Sequence, residues 1–140
     1  GRMPLSPLHD AAQRGDISEV EGLLRKGASV HDPDKLGDTC LHAASEKGHL
    51  DIAWLLLEKG GERLLMAQNR FGGTCLHAAA RSGHIGVARL LAERGGSKLL
   101  MFQDTHGWTC LHSVSQQGHY DVAKLLLDKG GEKLLMVQHR

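Results

Sequence analysis

Apolar positions in this chain fall in short blocks that return at a fixed interval. One block opens at Leu41-His42-Ala43-Ala44 and runs to Lys47, where Gly48 closes it. A second follows at once, with Leu50, Ile52, Ala53, Leu55, Leu56 and Leu57. The first block predicts a short helix. Thr39 supplies an N-cap whose hydroxyl can accept the amide of His42, and Gly48 supplies a left-handed stop. The second predicts a helix over 49–59, stopped by Gly60-Gly61. Its apolar stripe is too wide for a free helix and must be covered on more than one side.

The interval itself is the strongest signal. Thr39-Cys40-Leu41-His42 returns 35 residues later as Thr74-Cys75-Leu76-His77, and after another 35 as Thr109-Cys110-Leu111-His112. Ser6-Pro7-Leu8-His9 is the same motif 33 residues earlier. Such a period predicts a solenoid, in which each helix pair is sheltered by its neighbours. Ala43-Ala44 and Ala78-Ala79 keep the first helices thin enough to approach closely. Ser113-Val114 replaces them in the last unit, where valine would overpack a tight contact unless one side is open.

The combined pattern resembles the ankyrin repeat family over essentially the whole chain. Thr-x-Leu-His and Ala-Ala are followed by Gly48-His49, Gly83-His84 or Gly118-His119. The leucine run appears as Leu55-Leu56-Leu57 and Leu125-Leu126-Leu127, with Ala92 in the third unit, and a glycine closes each unit. Gly15-Asp16 and Gly22-Leu23-Leu24 are degenerate first-unit forms. The resemblance implies a single all-α domain over 1–140: an ankyrin-type α-solenoid of four stacked helix-turn-helix repeats with hairpin-like connecting loops. The repeats fall at about 4–36, 37–71, 72–106 and 107–140.

Two departures stand out. Cys40, Cys75 and Cys110 occupy a position where the motif's proline survives only as Pro7. The later connectors are also two residues longer, and each carries an apolar triplet: Leu64-Leu65-Met66, Leu99-Leu100-Met101 and Leu134-Leu135-Met136. The first unit has a single anchor there, Val30. The triplets predict a short extra turn packed under the hairpin, with Phe102 and Val137 partly exposed after it.

Ten histidines invite a metal or catalytic reading. Sorting them by repeat position removes most of it. His9, His42, His77 and His112 form one column, which the resemblance implies is bonded to the loops. His49, His84 and His119 form a second, implied to cap the turn. His31, His106 and His139 remain, each in a connector. One Cys and one His per unit cannot close a tetrahedral zinc site of about 2.0–2.3 Å radius, so no metal and no cofactor is expected. Cysteines one repeat apart sit on helices roughly 8–10 Å apart, beyond the about 7 Å that a disulfide spans. They read as free thiols suited to an intracellular, cytoplasmic setting. They are either buried small apolar groups or, at a helix first turn, thiols of lowered pKa.

No phosphate loop, His-Glu-x-x-His or Gly-x-Ser-x-Gly pattern is present, which points away from an enzyme. The formal charge of +1 gives no nucleic-acid footprint, and no apolar run approaches the roughly 18 residues that span a bilayer. The partner expected is therefore another protein. Positions that vary between units do not serve the stack and are free for contact. The resemblance implies binding through loop tips and the concave face of the first helices. Carried over residue by residue, this gives Lys35, Leu36, Asp38, Glu46 and Lys47 in the second unit. It gives Arg70, Phe71, Arg81 and Ser82 in the third, and His106, Trp108, Gln116 and Gln117 in the fourth. Phe71, Arg81 and Trp108 are the expected anchors, since aromatics and arginine dominate interfaces. The competing reading for Trp108 is packing on the neighbouring hairpin. Trp54 is a second outlier in a column that otherwise holds Glu21, Arg89 and Lys124.

Leu111, Val114 and Leu125 to Leu127 are expected to face water, because terminal repeats normally carry a polar outer face and this one does not. That implies a fragment of a longer array or end-to-end pairing of an otherwise monomeric chain. The alternatives to a binding scaffold are an architectural spacer within a longer protein and a designed repeat protein.

Overall fold

The computed structural model describes residues 6–137, apart from the side chains of residues 115–117. Over these residues the chain is helix and loop. Four helical hairpins follow one another: α1 (Pro7–Arg14) with α2 (Ile17–Arg25), α3 (Cys40–Lys47) with α4 (Leu50–Leu65), α5 (Cys75–Ser82) with α6 (Ile85–Leu100), and α7 (Cys110–Gln117) with α8 (Tyr120–Gly130), then a last turn, α9 (Glu132–Leu135). First helices pack on first helices and second on second, giving the stack that the period predicted.

The expected caps form, with histidine in the place usually held by glutamate. The Thr39 hydroxyl accepts the His42 amide at 3.3 Å, and His42 Nδ1 accepts the Thr39 amide at 3.0 Å. Thr74 and His77 repeat the arrangement. Between the capped helices, Ala44, Ala79 and Ala80 are fully enclosed. Val114 is fully enclosed as well, so its bulk is not relieved by an open side.

The second helices end where the glycines predict. The chain leaves helical geometry at Gly61 (φ 59°, ψ −152°) and makes one further turn to Leu65, so α4 is two helical pieces joined at a kink. Gly96 does the same in α6 (φ 58°, ψ −155°). Essentially only glycine reaches this conformation. The preceding glycine has a separate task. A Cβ on Gly60 would lie 2.6 Å from Leu64 Cβ, and one on Gly95 2.4 Å from Leu99 Cβ. One glycine turns the chain and the other leaves room for the leucine that the turn brings back. The extra turn is thus packed as predicted, with Leu64, Leu65, Leu99 and Leu100 buried. In the fourth unit Leu134 is buried, but Leu135 and Met136 are 62% and 76% exposed, so packing of the whole triplet is confined to the second and third units.

Another expectation is overturned in part at that end, for Val114, Leu125 and Leu126, while Leu111 and Leu127 are more open than their enclosed counterparts Leu41, Leu76 and Leu57. Val114, Leu125 and Leu126 are buried, and Leu111 and Leu127 are half-buried. α8 turns its leucines back onto α6, so the third unit covers them. The large apolar side chains left facing out are Tyr120, Leu135 and Met136.

Candidate interaction surface

The connector tips are built by one residue type at one position. Asp34, Asn69 and Asp104 stand 35 residues apart. Asn69 Oδ1 accepts the amides of Phe71 and Gly73, both at 2.9 Å. Asp34 Oδ1 binds the Leu36 and Asp38 amides, and Asp104 Oδ1 those of His106 and Trp108. Each closed turn touches the next. The Arg70 amide donates to the Leu36 carbonyl and the Thr105 amide to the Phe71 carbonyl, both at 2.8 Å. Gly72 permits this approach: a Cβ there would come within 3.0 Å of the Asp104 backbone.

The first histidine column ties this ledge to the first helices. Nε2 of His9, His42 and His77 donates to the carbonyls of Asp38, Gly73 and Trp108, at 2.8, 3.0 and 2.9 Å. In His42 and His77 the capped amide occupies Nδ1, which leaves the proton on Nε2 and the ring neutral. Burial holds both rings below their ordinary value of 6.5, against the pull of the carbonyls they bind and of nearby aspartates. Arg81 adds a push in the same direction on His77. The second histidine column caps the unit before its own: His49 Nε2 donates to the Gln13 carbonyl at 3.0 Å, and the His84 and His119 rings lie on Gly48 and Gly83. His139 lies outside the described residues.

The three thiols are free and buried, and their sulfurs point at the carbonyls of Val30, Leu65 and Leu100. Burial pushes all three up to about 12, outweighing the backbone amides of the helix start. The alternative of a lowered thiol pKa is overturned, and the cysteines are packing groups.

Between the third and fourth units a cleft of about 300 Å³ opens where two tips meet two first helices. Of the residues that sequence reasoning placed on the surface, it gathers Phe71, Arg81, His106 and Trp108. Phe71 is 55% exposed. Trp108 is half-buried and stacks on His112 (centroids 6.2 Å, planes 21° apart), with the His106 ring tilted at 54° to it and 6.3 Å away. Its ring therefore leans on its own unit, and its carbonyl accepts from His77 of the neighbouring one.

The other expected contact residues are distributed along the same side. Lys35, Leu36, Glu46 and Lys47 are exposed on the neighbouring unit and Arg70 on the tip that carries Phe71, with Leu36 one repeat from Phe71 in the same column. Asp38 is half-buried and binds Asn69 Nδ2 at 2.9 Å, and Ser82 is half-buried. The side chains of Gln116 and Gln117 lie outside the described residues. Trp54 is on the side of the second helices, 47% exposed, with the Arg94 guanidinium 4.3 Å from the centre of its ring. Sequence reasoning missed Asn69, His77, Asp104 and Ser113 as walls of the cleft. The Asp34, Asn69, Asp104 column was a visible signal for two of them.

Stacked helical hairpins with a ledge of linked turns define a repeat solenoid with one face left for contact. The chain belongs to the ankyrin repeat family: the family described as "Ankyrin repeats (3 copies)" matches residues 3–65 and 61–136. Similar proteins include human protein phosphatase 1 regulatory subunit 27, 39% identical over 59 residues, covering 42% of this chain and 38% of that protein. Human ankyrin repeat domain-containing protein 39 is 40% identical over 37% of this chain and 28% of its own length. Ankyrin repeat-containing protein ITN1 of Arabidopsis thaliana is 32% identical over 50% of this chain and 16% of its length. The matches thus span well under half of each of these relatives. Ankyrin repeats indicate a protein–protein interaction module. No helix among the described residues is long and apolar enough to cross a membrane.

Proposed function

We propose that this chain is a non-catalytic module that holds a partner protein along its hairpin tips and the exposed side of its first helices, anchored at Phe71, Arg81 and Trp108. The cleft carries the reading, because it brings these three side chains together at a junction between repeats. Trp108, already stacked on His112, loses little side-chain freedom on binding, which favours affinity, and exposed Phe71 adds apolar surface to bury. Leu36, Arg70, Lys47, Glu46 and Ser82 extend the same surface. The relative named as a phosphatase regulatory subunit is in keeping with a binding role. Three free, buried thiols are in keeping with the cytoplasm.

The test is a titration of a partner purified on the wild-type chain. Phe71→Ala and Trp108→Ala are expected to weaken it by about tenfold or more each. Unchanged affinity in both would overturn the placement.

A further inference from the structure

The chemistry of the partner follows from which groups in the cleft the fold already engages. Asn69 has its oxygen on two backbone amides and its nitrogen on Asp38. His77 has both ring nitrogens occupied. Asp104 holds two amides of its own turn. Arg81 differs: among the described residues its guanidinium has neither a hydrogen bond nor a carboxylate within ion-pairing distance. It lines the cleft beside Phe71, and it stands close enough to influence His77 on the cleft wall. The same lack of an ion pair holds, among the described residues, for Lys35 and Lys47 on the adjoining unit and for Arg70 on the tip that carries Phe71. Asp34 and Asp104 are engaged by their own turns and Asp38 by Asn69 of the next one. Glu46 is unpaired but does not line the cleft.

A guanidinium offers five donors in a fork that matches a carboxylate. Next to it lies an aromatic wall that matches an apolar side chain. At about 300 Å³ the cleft is at the small end for binding sites and suits a side chain, not a whole small-molecule ligand. The tips form a ledge that continues past it, with Leu36 and three more cations.

Building on the binding role proposed above, we infer that this surface takes an extended acidic segment of a partner protein. One apolar residue of that segment sits between Phe71 and Trp108, and a neighbouring carboxylate sits on Arg81. Further acidic residues run toward Arg70, Lys35 and Lys47.

The probes are labelled peptide pools of about six to nine residues, long enough to cross tips spaced roughly 8–10 Å apart. One pool centres Phe or Leu among Asp and Glu. A second has Lys and Arg instead, a third Ser and Asn, and a fourth keeps the acids but replaces the apolar residue with Ser. Fluorescence anisotropy on the whole chain is expected to favour the first pool by about tenfold over each of the others, with binding that weakens as salt rises. Arg81→Lys should keep the acidic preference in weakened form, Arg81→Gln should abolish it, and Arg81→Glu should transfer it to the basic pool. Arg81 is exposed, so thermal melts of all three variants should match wild type. Equal binding of the neutral pool, a preference that survives Arg81→Gln, or no binding by any pool would overturn the acidic-segment inference. Binding of another pool that is still lost in Phe71→Ala would refute the chemistry and leave the site standing. Binding that ignores both Phe71→Ala and Trp108→Ala would remove the site itself.

Discussion

The two sides of this stack treat their charges in opposite ways. On the side of the second helices, charges pair across repeats: Glu58 with Arg94 at 3.7 Å, Glu62 with Lys98 at 3.7 Å and Glu93 with Lys129 at 3.5 Å. Arg94 also covers Trp54. On the side of the tips, Asp34 and Asp104 fold inward onto backbone amides and Asp38 onto Asn69, while Lys35, Lys47, Arg70 and Arg81 stay without an ion pair among the described residues. The first unit departs from this, with Arg14 paired to Asp10, Asp16 and Glu19. Each outer pair is exposed and worth at most about 1 kcal/mol, yet together they join neighbouring repeats. The difference teaches where the stack is fastened and where it is left open. Substitutions on the outer side should alter stability and spare binding, and substitutions on the tip side should do the reverse.

The sharpest test of that division lies under the outer side, in the extra turn. Leu64→Ala removes a side chain that is 1% exposed and should cost about 2–5 kcal/mol in chemical denaturation. Leu64 does not line the cleft, which should keep its affinity for a bound partner under native conditions. Next in size, Gly61→Ala forces a side chain into a backbone region that only glycine enters freely. The expected loss is about 1–3 kcal/mol. A melt equal to wild type would mean the kink is not held as described.

Acid should loosen the tip side. His42 and His77 bind a proton less readily in the folded chain than in the unfolded one, because burial disfavours the charged ring. Their contribution is therefore complete above the unfolded value and is lost as pH falls through the lower folded values. A urea midpoint that drops between about pH 7.5 and 5.5 is expected. A midpoint that rises would contradict the neutral rings.

Smaller effects sharpen the comparison. A double-mutant cycle on Trp54→Ala and Arg94→Ala should return a coupling of about 0.5–1 kcal/mol, with partner affinity unchanged. Leu135→Ala should change stability by less than about 0.5 kcal/mol, because Leu135, unlike its counterparts Leu65 and Leu100, is exposed.

Much of this was legible before any coordinates. The Thr39 and Thr74 caps, the buried cysteines and the extra turn all follow from local chemistry repeated in register. The cleft was legible only in part. Phe71, Arg81 and Trp108 stood out because they break their columns, but their meeting depends on how two tips and two first helices dock. The misreading lies in the fourth unit: Val114, Leu125 and Leu126 looked exposed because the neighbour that covers them is elsewhere in the chain.

By itself the sequence determined the repeat, its helices and its caps, because each rests on contacts within a few residues and is written out several times. Only the tertiary structure decided which carboxylates are engaged, which cations are left unpaired and which leucines find cover. Those outcomes depend on distances between units, which composition and spacing do not contain.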